Sequence, residues 1–254
     1  MPLGGNLCYN AYEVILMLFY YIRHGDPIYK PDSLTELGVQ QAEALSKRLI
    51  RLGFDEIYSS TSNRAIMTAQ PTCQKLEMEP ILLDFANEGH AGRELMYDDP
   101  ELGRRWLFHN PRIVDLMNSK PIRDLGDRWY DHPEFADYSY EQGIGRIQRE
   151  ADAFFADLGY EHISGTGKYR IRKSNDQRIA FFAHQGFGMA FLSCILDIPY
   201  PMFCTHFDLC HTGMTVIEFR EYDGFAIPKI LTLSSDSHLY KEDLPTKYNN
   251  RIDI

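Results

Sequence analysis

The chain has 254 residues, a formal net charge of −10, 44% apolar and 24% charged residues, and five cysteines (Cys8, Cys73, Cys194, Cys204, Cys210). That length suits one large α/β domain or two small ones, and the apolar share can fill a core. The acidic balance argues against a nucleic-acid binder but leaves room for a local cationic pocket. An odd number of cysteines without C-x-x-C spacing argues against structural disulfides or a zinc site, and for a reducing cytoplasm.

Residues 1–22 carry an apolar run but no Lys or Arg before it and no small-residue cleavage site after it, so neither a signal peptide nor a membrane span is expected. Met17 is an alternative start, which would make residues 1–16 an extension. Val14 to Ile22 is too continuous for a half-exposed strand and too short to cross a membrane; it reads as a strand buried on both faces in a parallel sheet. Arg23-His24-Gly25 follows at its carboxyl end, where open α/β sheets bind ligands. A loop over 26–33 is punctuated by Pro27 and Pro31. A helix then opens with Thr35 as N-cap and Glu36 in its first turn, buries Leu37, Leu45, Leu49 and Leu52, and ends at Gly53.

Asp55 to Ser60 is a second strand, and a second helix begins near Thr61, with Arg64 in its first turn and Pro71 expected to kink it. Pro80 to Phe85 is a third strand leading to Asn87-Glu88-Gly89-His90, where Glu88 is read in a loop. From about 97 to 145 the alternation breaks into an aromatic, Arg-rich and Pro-interrupted stretch, read as a partly helical insertion positioned to cap the site. Glu141 to Leu158 is an amphipathic helix, and 159–177 is read as a solvated loop. Arg178 to Ala183 repeats the buried-strand construction and ends in His184-Gln185-Gly186, followed by a helix to Leu196. Thr215 to Arg220 and Lys229 to Leu233 form a hairpin around Asp223-Gly224.

Four groups therefore fall just past four strands: Arg23 with His24, Arg64, Glu88 and His184. They supply a nucleophile, cations for a dianion and a carboxyl for a leaving oxygen, the inventory of phosphoryl transfer through a phosphohistidine. No Walker-type glycine loop and no carboxylate cluster for magnesium is present.

Arg23-His24-Gly25, Leu34-Thr35 with Gly38 and Gln41-Ala42, Ser59-Ser60 with Arg64-Ala65 and Thr68-Ala69, and His184 resemble, in order, the motifs of the histidine phosphatase superfamily, also called phosphoglycerate mutase-like. The resemblance spreads from about residue 17 to the C-terminus. It implies a three-layer α/β/α sandwich with a mostly parallel central sheet. The chain would be a single domain over 1–254 that acts, metal-independent and with no cofactor, on phosphorylated small molecules. His24 would be phosphorylated, Arg23, Arg64 and His184 would hold the phosphoryl oxygens, and Glu88 would donate the proton, with Asp26 as its rival. The stretch after Glu88 lacks the Glu-Arg-His-Tyr-Gly run of the family's phosphoglycerate mutases, which favours a phosphatase over a phosphomutase; a non-catalytic phosphate-binding protein is the reading from another class. His211 and His238 are expected to be structural, with His211 close enough in sequence to line the pocket. No nucleic-acid or membrane partner is expected, and oligomeric state is not legible.

Overall fold

The structure is a computed structural model that describes residues 16–248; the run's first residues, Val14 and Ile15, the role of residues 1–15 and Cys8 lie outside them. In chain order the elements are β1 (Leu16–Arg23), β2 (Pro27–Tyr29), β3 (Asp32–Leu34), α1 (Glu36–Leu49), β4 (Glu56–Ser60), α2 (Asn63–Leu76), β5 (Ile81–Leu83), α3 (Glu88–Leu95), β6 (Met96–Asp99) and β7 (Gly103–Trp106). Then come α4 (Pro111–Met117), α5 (Lys120–Leu125), α6 (Tyr140–Asp157), β8 (Tyr160–Ile163), β9 (Lys168–Ile171), β10 (Arg178–Ala183), α7 (Gln185–Leu196), α8 (Tyr200–Cys204), β11 (Met214–Tyr222), β12 (Phe225–Ser235) and α9 (Ser237–Lys241).

One sheet of eight strands runs β5-β4-β10-β1-β11-β12-β9-β8. The pairs β5–β4, β4–β10 and β10–β1 are parallel, and from β11 onward the pairing is antiparallel. The side chains of β1 divide by parity, as a strand's period of two requires. Phe19 and Tyr21 join Phe181, Phe187 and Phe191 in the larger core, with Phe155 of α6. Tyr20 and Ile22 join Leu45 and Leu49 of α1, Ala69 of α2, and Phe182 on the other face. Helices therefore cover both faces, giving the three layers. Phe19, Phe181 and Phe191 are each fully buried, and each such ring contributes about 1.5–3 kcal/mol relative to an exposed one.

The helix starts follow the capping rules. Thr35 Oγ1 accepts the Gly38 N–H at 3.0 Å, and Glu36 sits in the first turn of α1. Asn87 caps α3 by accepting from Gly89 N at 2.9 Å. Glu88 is thus the first residue of a helix rather than part of a loop. Helix α2 runs unbroken through Pro71, whose missing N–H costs one bond in an otherwise continuous helix.

One expectation is corrected. The stretch 159–177 is not a solvated loop: β8 and β9 form a hairpin at the end of the central sheet. Tyr160 and Tyr169 are fully buried and alternate with polar residues, while Ser164 to Gly167 make the turn. The segment read as an insertion over 97–145 begins in the hairpin β6–β7, and α6 already starts at Tyr140. Between them, Trp129 packs on Phe135, Tyr140 and Tyr200, so an aromatic cluster ties this part to α6 and α8. The 26–33 loop holds the small hairpin β2–β3.

Candidate active site

Strand register brings the two histidines together. Arg23 pairs with Ala183 across the parallel strands β1 and β10, and His24 N donates to Ala183 O at 2.9 Å. His24 and His184 therefore leave adjacent strands at the same level, with ring centroids 5.1 Å apart. Both are buried, at 1% and 0% exposure. The turn after His24 needs close backbone approach: a Cβ on Gly25 would lie 2.7 Å from Gly38 O, and one on Gly38 would lie 2.2 Å from Asp26 O. Two glycines facing each other let the loop touch the start of α1. Gly25 N then donates to Thr68 Oγ1 at 3.0 Å, and Asp26 N to Gln41 Oε1 at 2.9 Å.

The tautomer of His24 follows from its partner. Nδ1 lies 2.6 Å from Gly25 O, and a carbonyl oxygen only accepts, so Nδ1 carries the proton. Burial, reinforced by His184, Arg23 and Arg64, holds the ring well below its ordinary pKa of 6.5. A neutral ring protonated at Nδ1 presents a lone pair on Nε2.

His184 is also held neutral, by burial and then by Arg64. Its Nε2 lies 2.8 Å from both Ser60 Oγ and Ser62 Oγ. Ser62 is the N-cap of α2 but makes no side-chain cap bond; its hydroxyl serves His184 instead. On the other side of the ring, His184 Nδ1 is buried and faces Glu88 Oε2 at 3.7 Å.

Arg23 is fully buried. Its guanidinium donates to Leu209 O and, at 2.7 Å, to His211 Nε2. An arginine always donates, so His211 accepts through Nε2 and carries its proton on Nδ1, which lies 3.3 Å from Asp26 Oδ1. His211 thus sits beside the site, with its ring 5.9 Å from that of His24, and orients Arg23. Asp26 also accepts from Thr35 Oγ1 at 2.7 Å, and His211 and Thr35 hold its carboxyl below the usual range. His238 is farther out, bonded to Thr212 Oγ1 at 2.9 Å.

Arg64, in the first turn of α2, donates to Asp32 Oδ1 at 2.7 Å and to Glu88 Oε2 at 2.9 Å. Glu88 Oε1 accepts from Gly186 N, at the start of α7, at 2.9 Å. A Cβ on Gly186 would meet the Trp106 ring at 2.2 Å, so only glycine lets the indole lie on that turn. Arg64 and Glu88 both line a cavity of about 640 Å³.

His24, Glu88 and His184 place ligand atoms within 4.8 Å of one another, a two-histidine, one-carboxylate set of the kind zinc accepts. Here both Glu88 oxygens already take N–H bonds, one of them from a guanidinium. Fixed positive charge on the carboxylate suits an anion better than a cation.

The sequence placed Arg23, His24, Arg64, Glu88 and His184 at strand ends, and the structure gathers all five at one edge of the sheet. It did not identify Asp32 as a partner of Arg64, or His211 as a partner of Arg23. A polar residue in a short loop carries no periodic signal, so neither pairing had one to read.

Comparison with known proteins agrees. The family model described as histidine phosphatase superfamily (branch 1) matches residues 19–130. No curated protein matches the chain. Among solved structures, a phosphoserine phosphatase from Entamoeba histolytica bound to phosphoserine superposes with a TM-score of 0.57 at 20% identity, covering 88% of this chain and 99% of that one. A mycobacterial glucosyl-3-phosphoglycerate phosphatase gives a TM-score of 0.56 at 14% identity, covering 87% and 99%. A putative alpha-ribazole-5'-P phosphatase from Escherichia coli gives 0.54 at 18% identity, covering 87% and 97%. At these identities the superpositions speak for the fold. Residues 19–130 match the histidine phosphatase superfamily model, and the motif residues stand in order at the carboxyl edge of a fold similar to that of these phosphatases.

Proposed function

We propose that the protein is a phosphomonoesterase that works through a phosphohistidine on small phosphorylated metabolites. The observation that supports the reading is the buried His24 ring, with Nδ1 fixed on Gly25 O and with His184, Arg23 and Arg64 near enough to help burial hold its pKa down. Nε2 attacks phosphorus as the ester P–O bond breaks. Arg23, Arg64 and the Nδ1 face of His184 stabilise the equatorial oxygens, and because they are already fixed they reorganise little.

Glu88 gives its proton to the departing alkoxide. That proton arrives with the substrate: the phosphoryl dianion takes over the Arg64 N–H bond, and a carboxylate left beside a dianion binds a proton. In the second half, Glu88 takes a proton from water, which attacks the phosphohistidine and releases inorganic phosphate, leaving His24 neutral. The carboxyl of Asp26, held ionised by His211 and Thr35, suits the donor's role less well.

The three phosphatases above, named for phosphoserine, glucosyl-3-phosphoglycerate and alpha-ribazole-5'-P, support a small phosphomonoester as substrate. The reading covers the chain as one domain, with the segment after Glu88 as a wall of the site and no metal taking part. A cytoplasmic setting agrees with four buried free cysteines among the described residues, none of whose helices is long and apolar enough to cross a membrane. The test is phosphate release from p-nitrophenyl phosphate and alkyl phosphates beside a coupled phosphomutase assay. Net phosphate release is expected; phosphate returned to a bound product without release would replace phosphatase by mutase.

A further inference from the structure

Asp26 stands one imidazole away from Arg23, and the proposed chemistry gives it no task. His211 lies between them, with Nε2 2.7 Å from Arg23 Nη2 and Nδ1 3.3 Å from Asp26 Oδ1. The other oxygen of Asp26 accepts from Thr35 Oγ1 at 2.7 Å, which fixes the carboxylate. Donors run one way along this chain. A guanidinium has no lone pair to offer and a carboxylate has no proton, so the ring between them has one allowed tautomer.

The backbone holds the ring in place. The His211 side chain is 4% exposed. His211 N donates to Lys247 O at 2.8 Å, and Thr212 N donates to His24 O at 3.2 Å. Thr212 has φ 56°, a left-handed conformation that a β-branched residue rarely adopts. Such strain persists where the surroundings over-determine it, often at a functional site. Here it stands directly after His211 and is bonded to the carbonyl of His24.

We propose that Asp26 and His211 are positioning residues for Arg23. The Asp26 carboxylate locks His211 in the tautomer that accepts from Arg23, and the ring holds the guanidinium ready for the phosphoryl group. This rests on the phosphatase reading of the same site. Only an acceptor at position 26 secures the lock. An amide there can turn its NH₂ toward Nδ1, which moves the ring proton to Nε2 and sets it against a guanidinium N–H. A fixed guanidinium reorganises little as charge develops on the phosphoryl oxygens. Loosening it therefore weakens transition-state binding for every ester alike.

The test is a double-mutant cycle with Asp26→Asn, His211→Gln and the pair, read as kcat/KM for p-nitrophenyl phosphate and n-propyl phosphate. Asp26→Asn is expected to lower both by roughly 10–100-fold, the worth of a bond to a charged group. In the His211→Gln background the same change should cost no more than about twofold, the scatter between uncoupled sites. Equal cost in both backgrounds overturns the proposal, as does a loss confined to propyl phosphate, which would make Asp26 the acid. Nitrogen-15 spectra of the wild-type histidines, with His211 assigned by its absence in His211→Gln, should show a proton on Nδ1 and none on Nε2. A protonated Nε2 overturns the proposal even if Asp26→Asn fails to fold. Calorimetric Kd values for vanadate give the same cycle without turnover. Coupling in Kd without hydrolysis would count against the phosphatase reading alone, and additive Kd changes would count against the positioning role.

Discussion

Replacing Glu88 by Gln separates proton donation from the other jobs of that side chain. Glu88 takes two N–H bonds, from Gly186 N at 2.9 Å and from Arg64 Nη2 at 2.9 Å, with 14% of its side chain exposed. Glutamine offers one oxygen, so one of the two donors meets an NH₂ group. That loss costs about 1.5–3 kcal/mol, the range for a bond to a charged group, and it acts on every substrate alike. The missing proton acts selectively. A departing alkoxide needs it, whereas p-nitrophenolate is stable without it, so alkyl phosphate turnover should fall a further ~10²–10⁴-fold, the usual worth of general acid catalysis. The assay compares kcat/KM for propyl phosphate and p-nitrophenyl phosphate in both proteins. Equal damage to the two esters would refute the role of Glu88. The same comparison in Asp26→Asn would then decide whether the acid lies there.

Two further expectations follow from other parts of the molecule. Chelators should leave activity intact, because side-chain cations carry the charge; loss of activity in EDTA restored by a divalent metal would contradict this. His162, between Asp152 at 2.8 Å and Asp197 at 3.1 Å, ties the β8–β9 hairpin to α6 and the end of α7. Burial opposes its charge, but the two carboxylates, led by Asp152, outweigh it and raise its pKa above 6.5. Stability from this group is therefore full below about pH 6.5 and is lost as pH rises through the raised value. The Tm gap between wild type and His162→Gln should be widest in acid and narrow with rising pH; a gap that widens instead would overturn the assignment.

The parts of the fold that the sequence reveals are those with a strong periodic or boundary signal. β1 and β10 are buried on both faces, so they read as unbroken apolar runs, and their ends place His24 and His184. α1 announces itself through Thr35 and its leucines. The hairpin β8–β9 was missed because it has four residues on each side and only one buried face, so Tyr160 and Tyr169 stand among charged neighbours. Glu88 was found at the right edge but not as a helix start, since Gly89 and His90 are poor helix signals and the Asn87 cap shows only in three dimensions. The pairing of His211 with Arg23 joins residues 188 apart in sequence, and no local pattern encodes such a contact.

The central claim is that His24 carries the phosphoryl group. Acid conditions hydrolyse a phosphoramidate and base preserves it, so rapid quenching into base with phosphorus-labelled p-nitrophenyl phosphate, followed by peptide mapping, tests it directly. Base-stable, acid-labile label on the peptide containing His24, absent from His24→Ala, is the expected result. Label on a carboxylate or hydroxyl, or full activity in His24→Ala, would contradict it.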